Sequence, residues 1–278
     1  MDSKQHVAQV IREESSHYSV PDAIVEAVLD RLLPSIRMLP QHPEEADAAR
    51  VGCSRIGGLP DLPSGVLWPC ISAQPSGGRT HLAGQPLSFL MQLNLAEVST
   101  LDKKQILPPR GMLYFFFRPV DLEDESHVIF ATGSLSLRPL APPVDLPQPD
   151  MFQGFALAPR LEWTVPFPYT LGLCEELVVE HLRLWDTLEG RVAEAQGFGP
   201  YYEPKHRLLG HPQLIQGPGL EEGTRLLLQV DSDCVFFDKG YPHTGMMWGD
   251  AGRIYYVIVD QELQSHRFEA ANAFLEMS

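Results

Sequence analysis

The chain lacks the short signatures that identify many enzymes. It has no G-x-S-x-G nucleophile turn, no G-x-x-x-x-G-K-[ST] or G-x-G-x-x-G phosphate loop, and no H-E-x-x-H zinc helix. Cysteine is scarce: Cys53, Cys70, Cys174 and Cys234 are the only four, and no two form a C-x-x-C pair. This excludes a zinc ribbon or a dithiol redox motif. Basic residues are outnumbered, 21 Lys and Arg against 36 Asp and Glu, for a net charge of −15. That balance disfavours nucleic acid and anionic membrane surfaces. It suits a basic protein, whose approach it would steer. No apolar run approaches the roughly 20 residues of a membrane span. The opening Met1-Asp-Ser-Lys-Gln-His is polar, without the apolar region of a secretory signal. Free thiols in a reducing cytoplasm are therefore expected. No motif calls for a cofactor or a resident metal.

What the chain does contain is an echo. Arg55-Ile-Gly-Gly-Leu-Pro-Asp-Leu is answered by Arg207-Leu-Leu-Gly-His-Pro-Gln-Leu, and Leu90-Met-Gln-Leu-Asn by Leu227-Leu-Gln-Val-Asp. Gly111-Met-Leu-Tyr-Phe-Phe-Phe is answered by Gly252-Arg-Ile-Tyr-Tyr-Val-Ile. The three blocks keep their order, which is the mark of an internal duplication. A cleft between two like halves is a natural ligand site.

Hydrophobic content of 44% with 21% charged residues is enough for a core. Residues 2–38 read as helix. Ser19-Val-Pro-Asp22 resembles a capping box, and Val25, Val28, Leu32 and Ile36 share a face expected to cover a sheet. Phe89–Leu95, Met112–Phe117, Leu226–Asp231 and Ile254–Val259 read as strands, with shorter ones at 128–130 and 135–137. The prolines of 141–149 suggest a connector. Leu177, His181, Trp185, Leu188 and Val192 mark a helix over 175–196, stopped at Gly197. Phe268, Ala271, Phe274 and Leu275 suggest a final helix. The expected fold is α+β, internally duplicated, with mostly antiparallel β-sheet halves and peripheral helices at the N-terminus, middle and C-terminus. The divisions are 1–50 (helical segment), 51–140 (first repeat), 141–205 (connector and helix) and 206–278 (second repeat and terminal helix).

Chemistry-bearing residues gather in the second half. His206, His211, Asp231, Asp233, Asp238, His243 and Asp250 combine carboxylates with imidazoles, suited to acid–base work or a cation, without diagnostic spacing. They read equally as strand-end turns. Trp248-Gly-Asp250 reads as a polar-aromatic pocket wall or as a turn whose Trp plugs the core end. Gln92 and Gln229, matched in mid-strand, read as ties from sheet to loop or as ligand-reading amides. Arg55 and Arg207 open the first echoed block and complete the ligand-binding candidates.

The motifs Arg55-Ile-Gly-Gly-Leu-Pro, Trp68-Pro69, Phe89-Leu-Met-Gln-Leu-Asn, Leu107-Pro-Pro-Arg-Gly-Met-Leu-Tyr-Phe-Phe, Leu209-Gly-His-Pro and Trp248-Gly-Asp-Ala-Gly-Arg-Ile-Tyr resemble the YwqG-like bacterial family, from about residue 50 onward. The resemblance implies one α+β unit with an internal duplication and brings no activity. Relatives beside secreted-toxin genes imply an immunity role. His211 stands where the family more often has Tyr. The expected function is a binding protein, an immunity-type inhibitor of a basic toxin; the alternative is a motif-poor enzyme or small-ligand sensor using the inter-repeat cleft.

Overall fold

Two prolines and a left-handed residue decide the N-terminal segment. Helix α1 (Ser3–His17) stops before Ser19, whose φ is +53°. Helix α2 (Asp22–Asp30) starts after Pro21 with no side-chain cap, so Ser19 does not cap it. Pro34 then lacks a helical donor and lies in strand β1 (Leu33–Pro40). The continuous helix expected over residues 2–38 is thus two helices and a strand. The expected face divides accordingly. Val25, Val28 and Leu32 pack with Val7 and Ile11 of α1 and with Leu184, Leu188 and Val192 of α4 (Leu182–Ala195). Ile36 instead enters the sheet core.

The structure, a computed structural model, describes residues 3–46, 50–71, 82–118, 125–134, 136–172, 180–199, 203–217, 219–233 and 242–277. The remaining elements in chain order are β2 (Arg55–Ile56), β3 (Asp61–Pro63), β4 (Ser88–Asn94), the one-turn α3 (Leu95–Val98), β5 (Met112–Arg118), β6 (Glu125–Ala131), β7 (Leu137–Pro139) and β8 (Phe155–Thr164). After α4 come β9 (Arg207–Leu208), β10 (Thr224–Asp231), β11 (Arg253–Val259), α5 (Asp260–Gln264) and β12 (Asn272–Glu276). Among the described residues no helix is long and apolar enough to cross a membrane.

Ten of these strands form one antiparallel sheet, ordered β12-β11-β10-β9-β1-β8-β2-β4-β5-β6. It curls until it is nearly a barrel. Its end strands meet where Ala273 N–H donates to Ser126 Oγ at 3.1 Å. Across the interior, the Tyr256 hydroxyl donates to the Phe116 carbonyl at 2.9 Å, and Phe115 meets the Tyr256 ring edge-on. Alternate residues, including Met38, Leu93, Leu113, Phe115, Val230 and Ile254, fill this core. The β3–β7 pair and the segment around Leu87 cover the outer face of the first half, over Tyr114 and Phe116.

The middle segment holds more than the connector and helix expected there. Strand β8 lies at the sheet centre, paired to β1 over its length from Leu33↔Thr164 to Pro40↔Leu157. Pro159, which has no N–H, and the buried Glu162 hide it from a pattern of apolar alternation. The expected terminal helix is also absent. Phe268 opens a single 3-10 turn, whereas Phe274 and Leu275 belong to β12, where Phe274 stacks on Tyr255 at 5.1 Å. Spacing of three and four residues arose here from two different elements.

Candidate functional site

The echoed residues build two hydrogen-bond networks, one on each side of the β1–β8 pair. In the first, the fully buried Gln92 accepts from Asp61 N–H at 2.7 Å and donates to the Cys53 carbonyl at 2.8 Å. The Tyr114 hydroxyl donates to the Asp61 carbonyl at 2.6 Å, and Arg55 donates to the Leu59 carbonyl at 2.6 Å. In the second, Gln229 accepts from Gln213 N–H at 2.9 Å and donates to the Lys205 carbonyl at 3.0 Å. The Tyr255 hydroxyl donates to the Gln213 carbonyl at 2.7 Å, and Arg207 donates to the His211 carbonyl at 3.0 Å. The β-bulges correspond as well, between Phe89 and Met91 and between Leu226 and Leu228. Arg55, Gln92, Arg207 and Gln229 thus tie loops to the sheet.

The networks differ in their acids. Arg55 pairs with Asp61 beside it. The matching position is Gln213, which instead accepts from the Lys205 ammonium at 2.9 Å. Arg207 therefore draws on Glu189, at 2.9 Å, and on Glu162, which also grips Arg37. Burial pushes the Glu162 carboxyl up, but Arg207 and Arg37 outweigh it and hold the group below its usual range. Lys205, 1% exposed, is pushed down to about 8 by burial, against the pull of Glu189.

The acid and histidine cluster dissolves into local roles. Asp231 pairs with Arg253 and accepts from Lys205 N–H at 2.7 Å. Its own N–H donates to His206 Nδ1 at 3.2 Å, which leaves the proton on Nε2. Burial lowers His206 to about 4. Asp233 accepts from Thr244 N–H, the Thr244 hydroxyl and Met246 N–H at 2.8–3.0 Å. Burial nevertheless raises it to about 6. His243 Nδ1 lies 2.7 Å from the Asp233 carbonyl and so carries the proton. Trp248 is buried and meets Phe117 and Phe152 edge-on, plugging the core end, while Asp250 is exposed beside it. Asp238 lies outside the described residues. Among the described residues no group of three or more His, Cys, Asp or Glu could hold a metal ion.

None of the nine ligand-binding candidates lines the cavity of about 440 Å³ that opens beside the second network. Its walls are Leu33 and Pro34 of β1, Ile106, Phe167, Leu209–Pro212, Leu214, Leu220 and Leu226. Lys104, Arg225, Asp260 and Thr170 add polar groups. Of the acids and histidines singled out from sequence, only His211 lies here. Its Nε2 is 2.6 Å from the Arg31 carbonyl, so it donates there and binds the cavity wall to the end of α2. Burial lowers it to about 4. Gly210 is indispensable to this wall: its φ is +77°, and a Cβ would lie 2.6 Å from Ser35 Cβ.

The cavity beside the first network is smaller. Gly58, Leu59 and Phe89, which echo Gly210, His211 and Leu226 in sequence, line a space of about 120 Å³. Trp68, anchored by its indole N–H to the Leu87 carbonyl at 2.8 Å and edge-on to Phe116, forms part of its wall with Leu146. Apolar cavities of a few hundred Å³ with few polar groups are typical ligand sites.

The ten-stranded near-barrel thus carries side cavities of about 440 and 120 Å³ beside its two networks. The chain belongs to the family described as Domain of unknown function (DUF1963), whose model matches residues 54–276. No curated protein matches it.

Proposed function

We propose that the chain is a binding protein for a small, largely apolar molecule, built from two fused like halves of which only the second keeps its cavity open. The observation that carries this is the unequal pair of cavities, about 440 and 120 Å³, on matched frameworks. A purely structural duplication has no need to fill one and spare the other. The matched networks and bulges support the duplication, and the quoted motifs favour a YwqG-like assignment within the family. Cys53 and Cys70, both free, suit a reducing cytoplasm.

Leu220 is the residue to change. It is half-buried against Phe167 and Leu214 at the cavity. Leu220→Trp should imitate the plug that Trp68 provides in the first half. The neutral apolar dye N-phenyl-1-naphthylamine should brighten in the native protein at one site per chain. The variant should lose at least about tenfold in affinity, equivalent to 1.4 kcal/mol, with its melting temperature within a few degrees. Equal binding by a folded variant would place the dye elsewhere and refute the reading.

A second reading retains a basic protein as partner, with the chain as an immunity-type inhibitor of a basic toxin. It is favoured by exposed Glu44, Glu45, Glu221 and Glu222 on two loops of a chain with net charge −15. The association rate with such a toxin should then fall steeply between about 0.1 and 1 M salt as screening shortens. A salt-independent rate would leave the charge to solubility alone.

A further inference from the structure

Cations stand at the mouth of the apolar cavity, and one is not engaged by an acid. Arg225 is committed to Asp260 through both its Nε and its Nη2, the latter at 3.2 Å. Asp102 is turned into its own loop, where it accepts from Lys104 N–H at 3.1 Å and Leu107 N–H at 2.7 Å. That turn, with Gln105 at φ +52°, holds Lys104 at the mouth. The Lys104 ammonium has no hydrogen-bond or ion-pair partner among the described residues.

Lys104 also borders a second cavity of about 440 Å³, shared with Arg225, Asp260 and His266. The Arg225–Asp260 pair and Lys104 therefore stand where the apolar cavity gives way to a more polar space. An occupant of the first would have its end beside this cationic border.

Resting on the binding function above, we propose that the ligand is a small amphipathic carboxylate, its apolar body against Leu214, Leu226 and Ile106 and its head at the Lys104 ammonium. A monoanion fits better than a phosphate, because one uncommitted cation in a chain of net charge −15 offers little to a second negative charge. Partial desolvation at the cavity mouth, then the charges of Arg225 and Lys4, hold the largely exposed Lys104 below the ordinary lysine range. A carboxylate would relieve that crowding, and a charge-assisted hydrogen bond gives it a stronger contact than an alcohol would have.

The test is displacement of N-phenyl-1-naphthylamine from the full chain by decanoate, decan-1-ol and decylammonium, which share one apolar body. Decanoate should displace the dye at about tenfold lower concentration than decanol, equivalent to 1.4 kcal/mol, and decylammonium should be weakest. Lys104→Ala should reduce decanoate to the level of decanol, each compared at the dye affinity measured for that variant. Lys104→Arg should retain the preference. Lys104 is exposed, so these variants should fold. Equal displacement by decanol and decanoate, or an unaltered preference in Lys104→Ala, overturns the headgroup assignment while the cavity reading stands. Failure of the neutral dye to bind overturns both.

Discussion

Glu162→Gln should destabilise the protein by about 3–5 kcal/mol, the range for removing one partner from a buried ion pair. Glu162 is 2% exposed and lies against Arg37, 3% exposed, and Arg207, 1% exposed. The amide keeps the shape of the carboxylate but brings no charge, and its NH₂ faces a guanidinium that can only donate. Arg207 would retain Glu189. Arg37 would lose its ion pair with Glu162 and keep the face of Phe198, 4.8 Å from its guanidinium carbon. Urea unfolding should show a lower midpoint with an unchanged slope. A loss below about 1 kcal/mol would mean that water reaches this cluster and that it does not anchor the β1–β8 centre.

Acid should weaken the protein above the pH at which ordinary carboxylates titrate. His206 and His211 are held neutral by burial, each lowered from 6.5 to about 4. Both folded values lie below the unfolded one, so the unfolded chain takes up protons first. Their contribution is complete above about pH 6.5 and is lost as pH falls toward 4, about 3 kcal/mol for each. Asp233 acts in the opposite sense. Its carboxyl is raised from 3.8 to about 6, so its contribution is complete below pH 3.8 and is lost as pH rises through 6. That offsets about 3 kcal/mol over the same window. A net fall of roughly 3 kcal/mol between pH 6.5 and 4 is expected from chemical denaturation at a series of pH values. His206→Asn, which can still accept from Asp231 N–H, should remove most of that slope. A flat profile in the native protein would contradict the burial of these rings.

The echoed blocks mark residues with like hydrogen-bonding roles, for a physical reason. Arg55, Gln92 and Tyr114, and their echoes Arg207, Gln229 and Tyr255, each satisfy a loop carbonyl or N–H, a task that demands the same side chains wherever it occurs. Strand β8 is hard to read because one face mixes the buried Ala156 and Glu162 with the exposed Arg160, so apolar alternation is lost. Pro159 reinforced the disguise. At the N-terminus, Ile36 continued the three- and four-residue spacing of α2 by coincidence, and only Pro34 hinted at the break. The cavity was illegible from sequence. Its walls come from β1, the loop after α3, the segment after β8 and the residues around β9 and β10, joined only by folding. Leucines lining a cavity also look like leucines filling a core. The one local sign was His211, a departure from the family's more usual Tyr. The structure accounts for it by the bond to the Arg31 carbonyl.

A crystal structure of the protein grown with N-phenyl-1-naphthylamine tests the central claim most directly. Ordered density for one dye molecule is expected between Leu214, Leu226 and Ile106, with none beside Trp68 in the first half. Density at the Trp68 site, on the outer surface only, or nowhere despite saturating dye would contradict a binding function built on the open cavity.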